Sequence, residues 1–163
     1  PYQITSPLLE QALAPPRARR IVFLLQREVA DRLAAEPGTK SYGALTIGVR
    51  AFAHVERLFR VPAGAFHPVP QVQSAVVRLT PLEEPLVPDG EVGEFRRMVV
   101  GLFGFRRKQL LRAVRGLASM PAGDAAQVLR RAQLAETVRP EMLQPEDCVR
   151  LFRSLVDGGC WAH

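Results

Sequence analysis

The side chains of this 163-residue sequence whose types and spacing could do chemistry are aromatic and basic. Phe66 opens a stretch running to Pro81 in which Pro68 and Pro70 fix φ, remove two backbone donors and push His67 and Val69 into extended geometry, so the ring is carried on a stiff loop. A lone Phe in such a place is most often core. Tyr2, in the opening Pro1-Tyr2, is a second ring whose ordinary fate is to pack on a sheet edge. Two arginine-rich groups, Arg17, Arg19 and Arg20, then Arg106, Arg107, Lys108, Arg112 and Arg115, carry guanidinium and ammonium heads of the kind that meet phosphate oxygens. Solvated helix faces also look like this, so the basic groups alone do not decide. Cys148 and Cys160 are too few and too far apart for a metal site, and His54, His67 and His163 have no second ligand at a metal-binding spacing; no metal is expected.

The elements that must position these residues can be read from the apolar pattern. Ser6-Pro7 is a helix start, with Leu8, Leu9, Ala12 and Leu13 as an apolar face ended by Pro15-Pro16. Ile21 to Leu25 is a continuous apolar run that fits a strand buried on both faces of a parallel sheet. Gln26 to Glu36 resumes a helical pattern, stopped by Pro37-Gly38, and Tyr42 to Val49 reads as a short helix. Ala53 to Val61 is a strand ended by Pro62, and a β-branched strand begins at Val72; so short a connection makes the two antiparallel neighbours.

From Leu82 to Asp89 the composition turns to Glu, Pro and Gly, which places a domain boundary there, with residues 1–82 before it and 83–163 after it. Beyond it the pattern is helical throughout. Val92, Phe95, Val99, Leu102 and Phe103 form one stripe and Leu110, Leu111, Val114 and Leu117 the next, followed by a short helix from Ala125 to Leu134. The last helix starts at Pro145, carries Cys148, Val149, Phe152, Leu155 and Val156 inward, and stops at Gly158-Gly159. On a wheel that starts at Lys108, Arg112 lies near 40° and Arg115 near −20° at about 100° per residue, opposite Val114 and Leu117. Arg106 and Arg107 are then expected at the start of that helix, with Arg17, Arg19 and Arg20 across a cleft from it.

Composition sets the outer bounds. Apolar residues make up 47% and charged residues 23%, a globular balance that argues against disorder. No apolar run approaches the twenty or so residues that cross a bilayer, so no membrane partner is expected. Twenty-two Lys and Arg against sixteen Asp and Glu leave +6, which suits a polyanion. Only two cysteines fit a reduced, cytoplasmic setting.

Together the two ends of this organisation resemble the ribosomal RNA adenine dimethyltransferases. That family carries Asn-Leu-Pro-Tyr and, later, Phe-x-Pro-x-Pro-x-Val-x-Ser-Ala-Val-Val; the second is present whole from Phe66 to Val77, and Pro1-Tyr2 matches the end of the first. Gln26 to Leu33, Tyr42 to Leu45, Leu58 to Pro62 and Phe105 to Lys108 look like further family blocks in the same order. Gln71 and Gln73 stand where Lys and Asp are usual.

The resemblance implies an α/β fold: the second half of a doubly wound Rossmann-like methyltransferase sheet with an antiparallel edge strand, followed by a small all-helical domain. It implies S-adenosylmethionine as methyl donor and small-subunit ribosomal RNA, or a pre-ribosomal particle, as partner of a monomeric enzyme. Tyr2 would stack on the target adenine, the Pro1 carbonyl would accept a hydrogen bond from its amine, and Phe66 would cover the remaining side. The family's Asn, its glycine-rich turn and its ribose-binding acid have no counterpart in the sequence. The chain thus resembles the family's carboxy-terminal part, expected by itself neither to bind the cofactor nor to turn over, and to associate through an open sheet face. Two other readings share these motifs: a non-enzymatic RNA-binding or ribosome-assembly factor on the same scaffold, and a resistance-type methyltransferase of large-subunit RNA.

Overall fold

The computed structural model describes the backbone of residues 2–161 and the side chains of residues 8–161. Helix α1 (Tyr2–Leu13) starts four residues before the expected Ser6-Pro7 signal. Its last turn is closed by Arg17, whose Nε donates to the Leu13 carbonyl at 2.9 Å.

Strand β1 (Ile21–Gln26) leads directly into α2 (Arg27–Leu33), then α3 (Ala44–Arg50) and β2 (Ala53–Val61). The α2–α3 junction is fixed by Thr46, whose buried hydroxyl donates to the Arg32 carbonyl at 2.6 Å and accepts the Gly43 amide at 3.1 Å. Strand β3 (Ser74–Pro81) begins two residues later than the expected Val72, opposite the end of β1 at Gln26.

The sheet order is β1-β3-β2, with β3 antiparallel to both neighbours. Two expectations change here. The antiparallel strand lies between β1 and β2 instead of at an edge, and β1 is covered on one face only. Alternation decides which face: Phe23, Leu25, Ala75, Val77 and Leu79 point to the helices, while Val22 and Leu24 remain 58% and 52% exposed. Val76 is paired with Leu24 on one side and Phe59 on the other, so an apolar row crosses the uncovered face. Leu58 is the extra residue of a bulge between Arg57 and Phe59.

Helices α4 (Val92–Phe103), α5 (Leu110–Ala118), α6 (Ala122–Arg131) and α7 (Pro145–Asp157) complete the chain. Helix α5 starts after Lys108 because the amides of Leu110 and Leu111 are taken by the carbonyls of Val138 and Glu136, at 2.7 and 3.1 Å. Arg106, Arg107 and Lys108 therefore lie in the preceding turn, not on the helix. Helix α6 is shifted about one turn earlier than the expected Ala125–Leu134. The inner face of α7 is Cys148, Leu151, Phe152 and Leu155, with Val149 and Val156 half-buried beside it.

Buried side chains form one continuous cluster from Leu9 to Leu155, crossing the segment around Leu82 without a break. Phe95 meets Phe152 edge-on at 5.6 Å in its centre. Tyr42, fully buried, donates its hydroxyl to the Leu143 carbonyl at 2.5 Å and so ties the α2–α3 loop to the approach of α7.

Candidate functional site

The carboxyl end of β1 and the start of β3 are held together by the Arg27 amide on the Gln73 carbonyl and by Arg27 Nη1 on Gln73 Oε1 at 3.3 Å. Beside this closure lies the loop between β2 and β3, which makes one 3₁₀ turn at Ala63–Ala65 and then bends through residues 66–68. Phe66, which follows that turn, has φ −118° and ψ 153°, and it is half-buried on the loop; Pro68 and Pro70 restrict the residues next along, His67 and Val69. Phe66, Pro68, Pro70 and Val72 on one side, with Leu24, Gln26 and Ser74 on the other, line a concavity of about 410 Å³. It is open, and its lining mixes the Phe66 and His67 rings and aliphatic side chains with the polar Gln26 and Ser74.

Pro1 and the side chain of Tyr2 lie outside the described residues, so their expected roles stand on the sequence alone. Among the described residues no group of His, Cys, Asp and Glu could hold a metal ion. Strand β1 passes from Gln26 into Arg27 of α2 with no glycine between them.

The basic residues separate into two kinds. Arg17 caps α1 and pairs with Asp89, and Arg106 is gripped by Glu141 at 3.2 Å and by the carbonyls of Thr39 and Lys40 at 3.3 Å. Both are clamps of the fold. Arg19, Arg20, Arg107, Lys108, Arg112 and Arg115 are exposed and make no ion pair among the described residues. Arg112 and Arg115 share the outer face of α5 opposite the buried Val114, as the wheel requires. Arg19 and Arg20 precede Ile21, at the far end of β1 from Gln26; a six-residue strand is about 20 Å long, so they do not border the Phe66 concavity.

Sequence reasoning missed Gln26 and Ser74 as lining residues. The available signal was a polar side chain closing an otherwise unbroken apolar run where strand becomes helix.

The profile of the family described as "Ribosomal RNA adenine dimethylase" matches residues 1–157. A ribosomal RNA small subunit methyltransferase A of Synechococcus sp. is 43% identical over 162 residues, covering 96% of this chain and 57% of the relative. One from Leuconostoc mesenteroides is 41% identical over 161 residues, covering 96% of this chain and 54% of the relative. The chain thus spans about half the length of these curated relatives. Among solved structures, a dimethyladenosine transferase from Plasmodium falciparum superposes with TM-score 0.85 at 25% identity, over 98% of this chain and 65% of that one. A 23S rRNA methyltransferase, ErmE, gives 0.62 at 26% identity, over 96% and 62%. With one motif whole, a shared Rossmann-like arrangement and a family match over nearly its full length, this chain belongs to the ribosomal RNA adenine dimethylase family.

Proposed function

We propose that this chain is the base-holding and RNA-docking part of an S-adenosylmethionine-dependent enzyme that dimethylates adenine amines in small-subunit ribosomal RNA. The observation that carries the reading is the half-buried Phe66 ring on its stiff loop, forming one wall of the concavity at the end of β1. The family match and the names of the relatives support the reaction class and the RNA.

The chemistry asks for geometry more than for acid or base. The lone pair of an exocyclic amine is delocalised into its ring, so the base has to leave its stack and be clamped with the nitrogen in line for displacement at a methyl group. Phe66 supplies a flat wall; Tyr2 would be the facing one and the Pro1 carbonyl an acceptor for the amine. A methyl donor supplies the electrophile. Residues 1–82 would carry the base site and residues 83–163 dock the RNA backbone through Arg107, Lys108, Arg112 and Arg115, in a monomeric cytoplasmic enzyme acting on a pre-ribosomal particle.

The test is Phe66→Ala against Phe66→Trp in the complete protein, with S-adenosylmethionine and undermethylated small subunits. The Ala variant should lose about 10–100-fold in the methylation step, the equivalent of one stacked base, while keeping its RNA affinity; Trp should retain most of the rate. Equal rates for wild type and Phe66→Ala would remove Phe66 from the site.

A further inference from the structure

Gln26 is the last residue of β1, pairs with Ser74 in the ladder and caps nothing: its side chain makes no hydrogen bond to the start of α2. The side chain lines the same concavity as Phe66. Its Oε1 is enclosed by protein with no hydrogen-bond partner, one of two such buried side-chain atoms among the described residues. Enclosing an unpaired acceptor costs free energy that Leu or Met of similar length would not incur, so the fold gives no reason for a carboxamide at this position. What Leu and Met lack is the NH₂ end, and with the oxygen end enclosed it is the NH₂ end that is left to the concavity.

Resting on the proposed function, we infer that Gln26 is a specificity-determining residue whose Nε2 donates a hydrogen bond to N1 of the target adenine. A flipped base is read along its Watson–Crick edge, which for adenine offers the amine as donor and N1 as acceptor. The amine is assigned to the Pro1 carbonyl, so N1 is the group still in need of a donor. Guanine carries a hydrogen on N1 and would meet the same NH₂ group donor to donor. Phe66 would thus hold the plane of the ring while Gln26 reads which purine it is.

The experiment measures single-turnover methylation by the complete protein and its Gln26→Met and Gln26→Glu variants, on RNA with either adenine or 1-deazaadenine at the target position. Wild type should lose about tenfold on 1-deazaadenine, the worth of one hydrogen bond in a desolvated site. Gln26→Met should lose about the same on adenine and nothing more on 1-deazaadenine, with an unchanged or raised melting temperature because no acceptor is stranded. Gln26→Glu, which has no donor, should behave as Gln26→Met or worse. If Gln26→Met matches wild type on adenine, or keeps the tenfold penalty on 1-deazaadenine, the inference is overturned while the family reaction stands. A wild type that transfers no methyl group to adenine would overturn the proposed function and the role of Gln26 with it.

Discussion

Tyr42→Phe removes one oxygen and tests how the two ends of the chain are joined. Tyr42 is fully buried, its ring tilted against Phe103 at 6.2 Å between centres, and its hydroxyl is the donor to the Leu143 carbonyl 101 residues away. Phe keeps the ring contact and strands the carbonyl, so the loss should be the cost of an unsatisfied buried acceptor, about 1–3 kcal/mol. For a chain of this size each kcal/mol is worth about 2–4 °C in melting temperature, which gives an expected fall of roughly 2–12 °C. The same residue sets an alkaline limit. Burial, reinforced by the nearby Cys148 and opposed by Arg50, raises the Tyr42 hydroxyl above its ordinary 10.0. Its contribution is therefore whole below that value and is lost as pH climbs through the folded-state value. Burial raises the Cys148 thiol above its ordinary 9.0 in the same direction, so Tyr42→Phe should flatten the alkaline decline without abolishing it. Thermal melts at pH 7 and across the range 9–11 read both effects. A variant melting within about 1 °C of wild type at neutral pH would refute the clamp.

Two other perturbations follow from the surface. Arg112→Ala and Arg115→Ala should weaken RNA binding for all sequences alike and reduce the salt slope by about 0.7 each, measured by filter binding at several salt concentrations, with melting temperature unchanged; Arg106→Ala should do the reverse, since its partners are Glu141, Thr39 and Lys40. Phe59→Lys places a charge at the β2 end of the Leu24–Val76–Phe59 row, where Phe59 is 58% exposed, and should reduce self-association of this chain in analytical ultracentrifugation.

How much the sequence disclosed depended on whether a signal was local. Pro62 ended β2 where expected, and Pro145 with Gly158 bracketed α7, because these residues act through their own backbone. The prolines around Phe66 likewise announced a stiff loop. Non-local pairings were invisible: β3 between β1 and β2 depends on which edge each strand meets, and the apolar run of β1 looks identical whether one face or two are covered. The true start of α5 depends on carbonyls more than twenty residues downstream, which no local pattern around Lys108 carries. Gln26 was overlooked for a related reason, since a polar residue at a strand end is ordinary until its oxygen is seen enclosed without a partner.

The arginines show most plainly why counting charge is a poor guide to a binding surface. The sequence offered two basic groups and a net charge of +6, and nothing in either distinguishes Arg106 from Arg112. The fold does. A guanidinium already satisfied by a carboxylate and two carbonyls, as Arg106 is, has to give up those bonds before it can meet a phosphate, and its donors are directed by geometry that also holds the α2–α3 loop in place. Arg17 is committed in the same way to α1 and Asp89. Arg112 and Arg115 leave only water when they bind, so their exchange of solvent for phosphate is limited by side-chain entropy and repaid by counterion release. The proposed docking surface is thus narrower than the basic sequence that suggests it, and it is the unpaired face of α5, with the turn at Arg107 and Lys108, that carries the RNA-binding proposal.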